Sequence, residues 1–139
     1  MDQKPTYKEL ERELKALRKT VSDNEYLERI YHSISEPVII LDLEQNILSA
    51  NLAAQKASGL SIENLIGKKC YQIFHKNYFT SPPASCPFPK LISDQKPHSA
   101  EVKEEILNGQ FLVSLTPVYD NQKKLKQVIH ISTDISEIK

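Results

Sequence analysis

Glycine, cysteine and tryptophan are nearly missing from this chain of 139 residues, which has three glycines, two cysteines and no tryptophan. Gly59, Gly67 and Gly109 stand far apart, each where an element is expected to end, so no glycine-rich loop exists to cradle phosphates. Cys70 and Cys86 are too few for a disulfide framework. The charged N-terminus carries no secretory signal, so the expected compartment is the cytoplasm, where thiols stay reduced. Net charge is also lacking, because eighteen basic residues cancel eighteen acidic ones. With no overall positive field to hold a phosphate backbone, nucleic acid is not an expected partner. No run approaches the roughly 18 consecutive apolar residues of a membrane span, so no membrane contact is expected of this chain. What remains is an ordinary globular composition, 40% hydrophobic and 26% charged, with room for one domain and an extension.

The extension comes first. Thr6 and Glu9 form a capping-box pattern after Pro5, and the spacing predicts a helix from Thr6 to about Ile34. Tyr7, Leu10, Leu14, Leu17 and Val21 alternate in steps of three and four, the seam of a coiled coil. The stripe reaches Asn24 and resumes at Leu27, Tyr31 and Ile34, which inserts an extra step of three, a stammer. Ser22 and Glu25 repeat the capping-box pattern, so a break or kink near Ser22 is one expectation. Leu27 to Ile34 are expected to pack on the domain that follows. Tyr7 to Val21 are expected to pair with a second copy of the chain, because such a helix is marginal alone in water. Residues 1–35 are therefore read as an amphipathic signalling or coiled-coil helix, and 36–139 as the globular domain.

Within the domain the rhythm changes. Pro37 to Leu43 is a β-branched run, followed by a polar Glu-Gln-Asn turn and Ile47 to Ala50, which reads as a hairpin. Asn51 is placed to cap a short helix from Leu52 to Ser58 that Gly59 closes. Ser61 is placed to cap another, with Ile62, Leu65 and Ile66 as its apolar face and Gly67 as its stop. Lys69 to His75 carries a further short helix or turn. A loop holding Pro82, Pro83, Pro87 and Pro89 follows, and Phe88 to Ser93 is one more helix. Three strands close the chain: His98 to Leu107, Gln110 to Tyr119 and Lys126 to Thr133, the first two joined by an Asn108-Gly109 turn. The fold class is α+β, with a five-stranded antiparallel sheet flanked by short helices. Both faces of the first strand are apolar, so the sheet is expected to be covered on both sides.

This order of elements resembles a PAS domain. Asp42-Leu-Glu-Gln-Asn-Ile-Leu-Ser-Ala-Asn51 looks like the first PAS hairpin ending in its helix-capping asparagine. Ala53-Ala54 to Gly59 and Ser61 to Gly67 resemble the stretch that follows. Thr133-Asp134-Ile135-Ser136 resembles the Asp-Ile-Thr motif that ends many PAS domains, with Ser136 in place of the usual threonine. The resemblance covers about 100 residues and implies the PAS fold in a sensor of a bacterial or archaeal signalling protein. It also implies a role upstream of an output domain, such as a histidine kinase of a two-component system or a diguanylate cyclase. Such domains bind a small molecule between sheet and helices or mediate dimerisation, and pass the signal through flanking helices.

The segment from Gly67 to Pro87 resembles a PAS variant with Cys-Tyr-x-x-Phe-His and a later Pro-Pro-x-x-Cys-Pro. Cys70 stands where light-sensing PAS domains place the cysteine that bonds a flavin. Its neighbours read Lys-Cys-Tyr-Gln-Ile-Phe rather than Asn-Cys-Arg-Phe-Leu-Gln, and Ser132 stands where a final-strand glutamine is needed, so flavin is not expected. Cys70, His75 and Cys86 offer thiolate and imidazole for zinc or iron, but three ligands leave a structural site incomplete and no tight Cys-x-x-Cys pair exists. No haem-attachment sequence occurs, and Phe88 to Ser93 holds no axial histidine. The expected reading is structural, with Cys70, Tyr71 and Phe74 in the core, His75 at a helix end and Cys86 anchoring the proline loop. A redox-sensitive Cys70–Cys86 pair is the further alternative. His32 and His130 are likewise read as structural.

No cofactor is assigned, and no motif gathers a nucleophile with its base or a pair of carboxylates, so an enzyme is not expected. A binding module would line its internal pocket with Phe74, Leu91, Val102, Phe111, Val113 and Ile129. In a pure interaction module the same side chains would fill that space. The partners expected are a second copy of the chain through the N-terminal helix, a small-molecule ligand, and an output domain in the parent protein.

Overall fold

Thr6 and Glu9 start the first helix by capping one another: the Glu9 N–H donates to Thr6 Oγ1 at 3.2 Å, and the Thr6 N–H to a Glu9 carboxylate oxygen at 3.1 Å. The computed structural model describes residues 4, 6–74, 86–104 and 109–135, and divides the chain into two units, Met1–Ser33 and Ile34–Lys139. The first unit is helix α1, Tyr7–Ser33. It runs unbroken past Ser22, so the expected break does not occur; Ser22 and Glu25 lie within continuous helix. The seam residues Tyr7, Leu10, Leu14, Leu17 and Val21 are between 48% and 76% exposed.

The second unit follows the order β1 (Val38–Leu41), β2 (Ile47–Ala50), α2 (Leu52–Ser58), α3 (Ile62–Leu65), α4 (Cys70–Phe74), α5 (Phe88–Asp94), β3 (His98–Glu104), β4 (Gly109–Tyr119) and β5 (Leu125–Asp134). The strands form one five-stranded antiparallel sheet in the order β2-β1-β5-β4-β3. The last strand of the chain thus lies at the centre. Pro117 is tolerated in β4 because it lies beyond the His98–Leu115 pair that ends the β3 ladder, where no donor is needed on that edge.

Local chemistry explains the short helices. Asn51 takes an extended backbone, accepts the Ala54 N–H through its side chain and starts α2, while Gly59 closes it in the left-handed region at φ 75°. Ser61 precedes α3 with an extended backbone but makes no side-chain cap. Ile66 does not join the apolar face expected of α3: the helix ends at Leu65, Ile66 turns extended, and its side chain is 50% exposed. Asn108 of the expected turn and the motif residue Ser136 lie outside the described residues, as does most of the proline loop, while Gly109 opens β4.

Alternation along the strands gives the sheet an inner face. Ile39 and Leu41 of β1, Ala50 of β2, Val128 of β5, Phe111, Val113 and Leu115 of β4, and Val102 of β3 join one buried core. Ala54, Leu65, Cys70, Tyr71, Phe88 and Leu91 complete that core from the short helices and their flanks. Pairing carries the alternation from strand to strand, since Ile39 lies opposite Ala50 and His130, and Val113 opposite Ala100 and Ser132. At about 25 cal/mol per Å², burying each Leu, Ile or Val side chain contributes roughly 1.5–3 kcal/mol before entropy is charged against it.

Candidate functional site

The site begins at a turn. Between β1 and β2, Asp42 accepts the backbone N–H groups of Glu44 at 2.8 Å and Asn46 at 2.9 Å, and the Asn46 side-chain amide at 2.9 Å. This carboxylate-centred turn leaves Gln45 in the left-handed region at φ 67°, and Gln45 is buried, only 6% exposed. Burial works to raise the Asp42 pKa, but the hydrogen bonds from Asn46 and Glu44 and the charge of Lys69 outweigh it, so the carboxyl titrates below its ordinary range.

From this position the Gln45 side-chain amide reaches both cysteines. Its Nε2 lies 3.4 Å from Cys70 Sγ and 3.8 Å from Cys86 Sγ. The Gln45 carbonyl also accepts the Cys70 N–H at 3.0 Å. The hairpin is further laced to the chain before α4, because Ile47 donates to the Lys68 carbonyl at 2.8 Å and Gly67 donates to the Ile47 carbonyl at 2.8 Å. Cys70 opens α4 and is buried, whereas Cys86, two residues before α5, is half-buried. The two sulfurs are therefore no further apart than the sum of their contacts to one nitrogen.

Four of the six residues expected to line an internal pocket come together. Leu91, Val102, Phe111 and Val113 belong to the same core as Cys70, with Val102 directly opposite Phe111 across the β3–β4 ladder. Phe74 ends α4 and contributes only its backbone to the described part. Ile129 is on the other face of the sheet. Its neighbours Val128 and His130 are buried facing the helices, and an interval of one residue reverses the direction of a side chain. Cys70 and Cys86 lie close through Gln45, and His75 is outside the described residues. Among the described residues no three His, Cys, Asp or Glu side chains are gathered as metal ligands.

Three polar residues of this inner surface went unrecognised as site residues in the sequence. His130 and Ser132 alternate with Val128 on β5 and are 8% and 2% exposed. Their spacing of two and four from Val128 is a readable signal once Val128 is known to face inward. Gln45 has no such signal, since a glutamine between Glu44 and Asn46 reads as a solvated turn. The arrangement offers an apolar wall, an imidazole and a hydroxyl on β5, and two soft sulfurs sharing one amide. These are apolar, hydrogen-bonding and soft-sulfur groups gathered about one face of the sheet.

Comparison with known proteins agrees with the architecture. A family model, that of the PAS domain, matches residues 35–137. No curated protein matches the sequence. Among solved structures, an RNA-binding light-oxygen-voltage receptor aligns with a TM-score of 0.72 and 17% identity over 86% of this chain and 35% of its own. The chain thus spans about a third of that receptor. The PAS domain of an HTR-like protein from Haloarcula marismortui aligns at 0.61 and 17% identity, covering 90% of this chain and 99% of its own. The light-state dimer of the fungal blue-light photoreceptor Vivid aligns at 0.56 and 18% identity, over 73% and 79%. At these identities the likeness is one of fold. No helix among the described residues is long and apolar enough to cross a membrane.

Proposed function

The chain belongs to the PAS domain family through residues 35–137, and on that premise we propose that it is a cytoplasmic sensor module, reading a small ligand or a redox cue. The cue acts at the inner face of the sheet and is relayed through flanking helices to an output domain of the parent protein, a histidine kinase or a diguanylate cyclase. The module has no catalytic step of its own. One observation carries this reading: Cys70, Cys86 and Gln45 stand at the edge of the apolar core formed by Leu91, Val102, Phe111 and Val113. Reactive and polar groups are thereby set beside the apolar core in which a sensor of this kind would seat an apolar molecule. The sheet gives the signal a short way out, because β1 pairs directly with β5, the strand whose Thr133-Asp134 end resembles the start of an output linker.

A second reading is favoured by α1, whose seam from Tyr7 to Val21 is exposed in the single chain. In that reading the domain is a ligand-free dimerisation module. Vivid, whose structure is described as a light-state dimer, supports self-association as a mode available to this fold.

An absorption spectrum of freshly purified protein, with metal analysis and native mass spectrometry on the same sample, tests the two readings. The chain has no tryptophan, so any chromophore stands out above six tyrosines. A retained small molecule or a thermal shift with a ligand supports the sensor reading. Failure of every ligand and oxidant to alter the protein, with dimerisation intact, supports the second.

A further inference from the structure

Cys70 opens α4 and Cys86 stands two residues before α5, yet both sulfurs face one side-chain amide. A primary amide has two N–H bonds, which allows Gln45 Nε2 to address a sulfur with each. Gln45 is held there firmly: its backbone N–H donates to the Asp42 carbonyl at 3.2 Å, its carbonyl takes the Cys70 N–H, and it is buried at positive φ. Two thiols that merely fill a core need no shared polar neighbour.

We propose that Cys70 and Cys86 are a reactive thiol pair that closes to an intrachain disulfide under a hydroperoxide, and that Gln45 reports the closure to the β1–β2 hairpin. This names the redox form of the cue and rests on the sensory reading for its role in signalling. Cys86 is the first to react, because it is half-buried and in irregular chain, whereas Cys70 is only 6% exposed. Its thiolate sulfur attacks one peroxide oxygen, the O–O bond breaks, and the departing oxygen leaves as water with the thiol proton. The Cys70 sulfur then attacks the sulfenic sulfur of Cys86, the S–S bond forms, and the second oxygen leaves as water with the Cys70 proton. Two thiols are oxidised by two electrons in all, and one hydrogen peroxide is reduced to two waters.

A disulfide holds its sulfurs about 2.05 Å apart and consumes both thiols, so closure changes the position and chemistry of both sulfurs that the Gln45 amide contacts. Most of the movement falls to Cys86, since Cys70 is fixed by its backbone bond to Gln45 and by the core around it. Any shift of the amide that follows bears on a turn hydrogen-bonded on both sides. Beyond it, β1 pairs with β5 from Val38–Ile131 to Leu41–Val128. The reporting route is therefore one continuous ladder from the turn to the central strand.

The test uses the whole chain, reduced, freed of reductant and titrated with hydrogen peroxide. The expected result is joint loss of both thiols, a mass lower by two hydrogens, and a peptide joining Cys70 to Cys86 from monomeric protein. Cys70→Ser is expected to trap Cys86 as a sulfenic acid that dimedone captures; Cys86→Ser is expected to leave Cys70 reduced. Stepwise oxygen addition at either sulfur, a disulfide between chains, or thiols that survive peroxide overturns the pair. Hydrogen exchange of Gln45, β1 and β5 is followed in the same samples. A disulfide that leaves exchange unchanged overturns the reporting role, while the absence of a disulfide in a protein that retains a small ligand overturns this proposal and leaves the sensory reading standing.

Discussion

The side-chain oxygen of Asn51 accepts the backbone N–H of Val38 at 3.0 Å, tying the start of the first strand to the start of the helix after the hairpin. The same oxygen takes the Ala54 N–H at 2.9 Å, and the amide donates to the carbonyls of Ile34 at 3.3 Å and Glu36 at 3.0 Å. Asn51 is fully buried, so all of this bonding replaces water. The point where the chain enters the sheet is thereby fixed by one side chain.

Asn51→Ala is expected to destabilise the domain by about 3 kcal/mol, because each buried group left without a partner costs about 1–3 kcal/mol and relaxation recovers part of it. Asn51→Asp keeps the acceptor but turns a carboxylate toward two carbonyls. Burial and those carbonyls raise the folded pKa of such a group, so its penalty grows as pH rises. Urea unfolding is expected to show Asn51→Asp closer to the parent protein at pH 4 than at pH 7. Equal deficits at both would show that the carbonyls do not face the substituted group.

Asp42 is expected to give the opposite pH dependence. Its folded pKa lies below the ordinary aspartate range, so its contribution is full at neutral pH and is lost as pH falls through that lowered value. Asp42→Ala removes three hydrogen bonds at a partly exposed turn and is expected to cost about 1–2 kcal/mol at pH 7. Paired unfolding curves for the parent and Asp42→Ala should converge in acid. A gap that stays constant from neutral pH into strong acid would sink the assignment of the turn to this carboxylate.

The C-terminal end of α5 carries a second carboxylate device. Asp94 places its two oxygens 2.8 Å and 2.7 Å from His98 Nε2 and accepts the Lys96 N–H at 3.0 Å. The Asp94 pKa is lowered, first by the hydrogen bond to His98 and then by that from Lys96, against a smaller opposing effect of desolvation. In a carbon-13 carboxyl titration, Asp94 is expected below the ordinary aspartate range. His98→Ala should move it upward without full return, since the Lys96 donor remains. No movement would mean that the imidazole does not bear on the carboxylate in solution.

How much of this was legible depends on whether a residue's role is local. The Thr6–Glu9 cap, the Asn51 cap and the Gly59 stop are each set within a few residues, and all three form as their sequence patterns predict. Strand order and facing are not local. Val128 and Ile129 are adjacent apolar residues in a central strand, and only the pairing of Leu41 with Val128 decides which faces the helices. Gln45 failed to show for a different reason: its inward course follows from a left-handed backbone imposed by Asp42, and composition marks that turn as solvated. Cys70 and Cys86 stood out for their type, but what joins them is the glutamine between.

The last prediction concerns α1. Tyr7, Leu10, Leu14, Leu17 and Val21 are exposed in the single chain, and a narrow apolar seam in heptad spacing is buried best by a second copy. Leu14 is at the centre of that seam. Leu14→Asp removes an apolar contact from each copy and sets two carboxylates against each other, which at about 3 kcal/mol in total weakens association roughly 100-fold. Sedimentation equilibrium is expected to show dimers of the parent protein separating into monomers in Leu14→Asp. Far-ultraviolet circular dichroism should lose helix in parallel, because a lone helix of this length is marginal in water. Arg12, at a position outside the seam, supplies the control: Arg12→Ala should leave the dimer intact. If Leu14→Asp and Arg12→Ala behave alike, the seam does not join two copies, and the relay proposed for this helix must work within one chain.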